Sequence, residues 1–147
     1  MSPDYEARLR AVAERRGLRV RADSTLRWQN GLKERVASSR AVVVPSQWWV
    51  TSESVVYEGL LMGKPVIVSR AGGNAELVDH GKTGFLFEPR DAKALARYIT
   101  LLSTDRDLAS RMGAEAAARS RARFAEAAFM RRLEGAYEEA RRCASAS

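Results

Sequence analysis

The run TSESVVYE, residues 51–58, gathers the hydroxyls of Thr51, Ser52 and Ser54 with the carboxylates of Glu53 and Glu58. Hydroxyl residues at the start of a helix cap its free N–H groups, and the helix dipole favours an anion there. A phosphate would suit this position. Plain N-capping is the simpler reading of the hydroxyls, and Glu53 in the first turn would repel an anion. Glu58 is more informative. On a helix it shares a row with Val55, Gly59 and Met62, which is expected to face the core. A buried carboxylate costs several kcal/mol unless it is hydrogen-bonded or paired. A ribose diol donating two hydroxyls would satisfy it, and so would solvent at the sheet's rim or an arginine. Gly59 beside it permits close approach of a backbone or a ligand. A second turn, AGGN, has Gly72 and Gly73 for a tight, amide-exposing bend and Asn74 to cap the next helix. Alone, it also reads as a simple strand-to-helix turn.

These residues need elements to hold them. AVVV (41–44) and VIVS (66–69) are continuous apolar runs, and TGFLFEP holds a third. Short apolar strands alternating with helices predict a parallel sheet buried on both faces. Helices are predicted over YEARLRAVAERRG with Gly17 as its C-terminal cap, over QNGLKERVASSR with Leu32 and Val36 inward, and over 52–62. LRVRA reads as a further short strand. From Asp91 the chain reads as helical, with stripes at Leu95, Tyr98, Ile99 and Leu102, at Leu108 and Met112, and at Phe129, Leu133 and Tyr137. The architecture is therefore α/β, a Rossmann-like doubly wound parallel sheet with a helical C-terminal extension. It forms one domain over 1–142, with residues 143–147 a disordered tail. Ligands of such sheets lie at the carboxyl ends of the strands, where 45–54 and 71–74 both fall.

The 147 residues suffice for one domain with a real core. The single cysteine, Cys143, excludes an internal disulfide framework and a cysteine metal site, and fits a reducing cytoplasm. No apolar run is long enough to span a bilayer, and the start lacks the apolar core of a signal peptide. The net charge of +7 is unevenly placed: residues 1–40 hold 10 Lys/Arg and 5 Asp/Glu, residues 41–91 hold 4 and 6, and residues 92–147 hold 11 and 7. The excess lies on the flanking helices, interleaved with alanine and acids, so it reads as solvated helix faces. A basic rim would also attract phosphates or the inner face of a membrane. No nucleic-acid motif with interleaved aromatics is present. His80, in DHGKTG, stands apart from any ligand cluster and reads as a loop residue. Trp48 and Trp49 could stack on a base or sugar, but at least one is expected to pack the loop over the sheet end.

The order of these pieces resembles the C-terminal, donor-binding domain of the glycosyl transferases group 1 family, half of a GT-B fold. PSQWW resembles its PS-x-W turn, VVYEGLLMGKPVIVS its V-x-x-E-A-x-x-x-G-x-P-V-I segment, and AGGNAELV its GG-x-x-E-L turn. DHGKTGFLFEPRDAKALA resembles its G-x-T-G-x-L strand and the helix after it. The motifs run from Ala41 to Pro89, and a helical pattern continues to Tyr137. The resemblance implies a nucleotide-diphosphate-sugar donor, transfer with retention to a glycan or lipid-linked acceptor, and no cofactor or required metal. It places Glu58 on the donor ribose and the amides of Thr51, Ser52, Glu53 and Ser54 on the diphosphate, with Gly72 and Gly73 as a supporting turn.

Two departures from the pattern stand out. Val50 occupies the position of the family's first glutamate, which helps position the transferred sugar, and valine cannot accept a sugar hydroxyl. The strand, glycine-rich turn and basic pair that open such domains do not occur in this sequence, nor does an acceptor domain. The chain is therefore expected to be N-terminally incomplete, inactive alone, and dependent on an acceptor domain or subunit in trans. The alternative is a non-catalytic nucleotide-binding or protein-interaction module, self-associating through an exposed sheet edge. Either is expected in the cytoplasm, with peripheral membrane contact compatible with the basic flanks.

Overall fold

The computed structural model describes residues 3–23, 25–49 and 51–145. The sequence reads as one domain, whereas the chain divides into two compact units between Arg35 and Val36. In the first unit, α1 (Pro3–Arg15) ends in a Schellman turn. Leu18 N–H donates to Ala13 O at 2.9 Å and Gly17 N–H to Glu14 O at 3.0 Å, with Gly17 at φ +63°. The glycine cap is thus where the sequence puts it. The LRVRA strand is not. Residues 18–22 are irregular, with Leu18 59% and Val20 43% exposed. A strand needs a neighbour's hydrogen bonds, and no described strand pairs with this segment. A single 3₁₀ turn (Trp28–Asn30) and Gly31 at φ +109° lead into α2 (Leu32–Ser38).

The second unit is built on a parallel sheet in the order β1 (Val42–Val44), β2 (Val66–Ser69), β3 (Gly84–Phe87). Val42 pairs with Val66, and Val66 with Gly84. Every residue of β2 and β3 is buried, as continuous apolar strands require. Helix α3 (Ser54–Leu61) covers one face. At Gly59 an added Cβ would lie 3.0 Å from Val42 Cγ2 and 3.1 Å from Val66 Cγ2. Gly59 therefore admits the sheet, not a ligand. Ile67, Phe85 and Phe87 face the other way and pack with Leu102 of α5 (Ala92–Thr104) and Met112 of α6 (Arg106–Arg123). Helices on both faces make the sheet doubly wound.

Caps fix where these helices start and stop. Asp91 and Asp105 each accept the backbone N–H three residues on, at 2.9 and 2.8 Å. Helix α3 ends in a second Schellman turn: Lys64 N–H donates to Gly59 O at 2.9 Å, and Gly63 N–H to Leu60 O at 3.0 Å. Gly113 of α6 lies against this turn, and a Cβ there would come 2.2 Å from Gly63 O. Gly113→Ala thus sets a helix-propensity gain of about 1 kcal/mol against overpacking of about 1–3 kcal/mol. Gly63, at φ +70°, sits in a cap that cannot shift freely. The variant is expected to lose about 1–2 kcal/mol of stability, and urea unfolding showing a gain would refute the close packing. The last helix, α7 (Glu126–Ser145), includes residues 143–145, which the sequence places in the tail. Its stripe of Phe129, Leu133 and Tyr137 is exposed. Among the described residues no helix is long and apolar enough to cross a membrane.

Candidate functional site

Two loops meet over the carboxyl ends of β1 and β2. One spans 45–53 and leads into α3; the other spans 70–73 and leads into α4 (Asn74–Leu77). Their backbones touch. At Gly73 an added Cβ would lie 1.8 Å from the Thr51 carbonyl oxygen. Gly73 has φ −69°, so its smallness rather than its conformational freedom is what the site uses. Gly72, at φ +59°, supplies the left-handed bend. The two motifs that the sequence places at one end of the sheet are therefore a single structure.

A polar brace lies beneath the contact. Ser46 Oγ donates to the Glu53 carboxylate at 2.7 and 2.8 Å, and Asn74 Nδ2 donates to Glu53 Oε2 at 2.9 Å. Asn74 Oδ1 in turn accepts the Glu53 N–H at 2.8 Å. Ser69 Oγ donates to Ser46 O at 2.6 Å. Asn74 and Ser69 are fully buried. The sequence assigns Asn74 to capping, but its side chain instead holds the neighbouring loop, and Gly73 is the N-cap of α4. Glu53 likewise has an internal role. Its charge is met by donors, and its N–H, expected on a diphosphate, is already engaged.

Above the brace, Thr51, Ser52 and Gly73 line a cleft of about 510 Å³ with Tyr57, Glu76, Leu77, Arg123, Phe124 and Arg132. Ser52 Oγ and Tyr57 Oη share a 2.5 Å hydrogen bond, and the Tyr57 ring meets Phe124 edge-on at 5.1 Å. Arg123 Nη1 donates to Glu76 O at 2.6 Å, and Arg132 Nη2 donates to Arg123 O at 3.0 Å. The two guanidiniums bring positive charge to the loop. No local signal in the sequence marks them, because α6 and α7 reach the cleft only through tertiary packing.

Glu58 is not where its helical row predicts. The buried residues of α3 are Val56, Gly59 and Leu60, while Val55, Glu58 and Met62 are half-buried on the flank. The sheet contact at Gly59 sets this rotation. The Glu58 carboxylate has no hydrogen bond or ion pair with another described residue. It does not line the Thr51 cleft, and neither does Ser54. Val50 lies outside the described residues. Both tryptophans of the loop are exposed, Trp48 at 80% and Trp49 at 86%. The expected packing of one over the sheet end is replaced by the polar brace as the loop's anchor. His80 is a structural loop residue: Nδ1 accepts the Leu86 N–H at 3.0 Å, and the ring meets Phe85 and Tyr98 edge-on. Among the described residues no group of His, Cys, Asp and Glu forms a cluster able to hold a metal ion.

A parallel sheet covered on both faces, with two polar loops joined over the ends of adjacent strands, defines a Rossmann-like α/β domain. The chain belongs to the glycosyl transferases group 1 family, whose model matches residues 2–119. Trehalose phosphorylase of Grifola frondosa is 48% identical over 56 residues, 38% of this chain and 8% of its own length. D-inositol 3-phosphate glycosyltransferase of Streptomyces scabiei is 37% identical over 93 residues, 61% of this chain and 20% of its own. The structure of Anabaena Alr3699/HepE in complex with UDP superposes with a TM-score of 0.77 at 28% identity, covering 92% of this chain and 37% of that one. These structural neighbours have the GT-B fold. The chain therefore spans about a third of the solved structures it matches, and less of the curated relatives.

Proposed function

We propose that this chain is the donor-binding part of a retaining glycosyltransferase. It holds a nucleotide-diphosphate sugar for transfer to a glycan or lipid-linked acceptor, without a required metal, and acts with an acceptor domain or subunit. The observation that carries this reading is the Glu58 carboxylate, half-buried on α3 and without a partner among the described residues. Such a group is stabilised by a ligand that donates two hydroxyls, as a ribose diol does. The Thr51–Ser52 loop would take the diphosphate, with Arg123 and Arg132 supplying the positive charge. A solved neighbour bound to UDP is consistent with such a donor.

One observation favours a second reading, a non-catalytic nucleotide-binding or interaction module. Asn74 already occupies the Glu53 amide, so one of the four expected diphosphate donors is absent. Protein-observed NMR titration with UDP, GDP and ADP separates the two. One nucleotide is expected to give saturable shifts in residues 51–58. Glu58→Ala is expected to weaken that binding at least about tenfold, the loss of hydrogen bonds to a charged acceptor, while spectral dispersion is kept. Absence of any response at millimolar nucleotide would sink the donor-binding reading.

A further inference from the structure

The opposite end of the sheet carries a second polar cleft. Arg40 stands just before β1, Lys64 just before the parallel strand β2, and Arg106 at the start of α6. With Ser39 and Ser110 they line a cleft of about 350 Å³ that has no carboxylate in its wall. Lys64 is half-buried, and its ammonium makes no hydrogen bond or ion pair with another described residue. A lysine whose stem is partly covered normally carries its head to water or to an acid.

The surroundings hold this lysine in place. Its N–H closes the Schellman turn of α3, Pro65 after it is buried, and Gly113 pins α6 against Gly63. The Arg40 guanidinium is steadied by a hydrogen bond to Ser103 O. Two acids flank Arg106 in sequence: Asp105 spends its carboxylate on the Leu108 N–H at 2.8 Å, and neither Asp105 nor Asp107 lines the cleft. Three cations thus share one cleft with no carboxylate among its lining residues, and their mutual repulsion favours a multiply charged anion.

We infer that this basal cleft is an anion site for a phosphate-bearing group with at least two negative charges, at the far end of the sheet from the donor loops. Arg40, Lys64 and Arg106 neutralise the charge, and the Ser110 hydroxyl donates to its oxygens, the Ser39 hydroxyl being spent on Val36 O at 2.8 Å. The group is either a soluble phosphate ester or a lipid headgroup.

Pyrophosphate is the probe for the first source. Titrated into this chain and followed by NMR, it is expected to give saturable shifts at Ser39, Lys64 and Ser110. Lys64→Gln with Arg106→Gln is expected to weaken binding at least about tenfold, with Arg111→Gln on the exposed face of α6 as the unaffected control. Vesicles of phosphatidylcholine with and without phosphatidylinositol phosphate test the second source. Co-sedimentation only with the phosphoinositide, lost in the double variant, assigns the site to a headgroup; pyrophosphate binding alone assigns it to a soluble phosphate. Non-saturating shifts together with no phosphoinositide-dependent sedimentation would overturn the inference, as would equal affinity in the double variant.

Discussion

Asn74→Ala is expected to lower the unfolding free energy by about 3 kcal/mol. The side chain is fully buried and serves Glu53 twice, accepting its N–H and donating to its carboxylate. Alanine would leave a backbone donor without an acceptor and a charged oxygen short of a donor. Stranding one partner of such a bond costs about 1–3 kcal/mol, and more where the group is charged. Urea unfolding reads the loss, and hydrogen exchange at residues 51–53 should quicken in the folded state because the brace also orders the loop. A loss under about 1 kcal/mol would mean that water replaces the amide readily and that the brace does not fix the loop.

Gly73→Ala is expected to cost about 3 kcal/mol as well, at the upper end for overpacking. The backbone there is right-handed helical, a conformation alanine accepts, so conformational strain is not the cause. The cause is the Thr51 carbonyl, 1.8 Å from where the Cβ would stand. A backbone oxygen cannot rotate away as a side chain could, so the two loops must separate. Gly81→Ala is the control, since φ +77° costs alanine about 1–2 kcal/mol while an added Cβ there would meet nothing within 4 Å. If thermal unfolding ranks Gly73→Ala as the milder of the two, the loops do not touch as described. The same variant should weaken donor binding, because Thr51 and Gly73 share the cleft.

Much of this fold was legible along the chain. AVVV, VIVS and the GFLF of the third run are β1, β2 and β3, because a strand buried on both faces leaves an uninterrupted apolar signal. Gly17 and Gly63 close their helices in Schellman turns, whose requirement is local. The LRVRA segment misled because β-propensity describes a surface that must then find a partner. Around the candidate site, residue types gave the chemistry but not its allocation. Glu53 and Asn74 read as ligand-facing and helix-capping, and the packed loops turned both inward.

The sequence by itself determined the parallel α/β architecture, the family motifs and the position of Glu58 within them. These depend on periodicity and short-range turn chemistry, which reside in neighbouring residues. Only the tertiary structure decided which polar groups are already satisfied and which stand open. It engaged the Glu53 amide, left Glu58 without a partner among the described residues, and brought Arg123 and Arg132 to the cleft of Thr51 and Arg106 to that of Lys64. Hydrogen-bond satisfaction and charge compensation are set by distance in space, and residues far apart in the chain acquire that only when helices dock on the sheet.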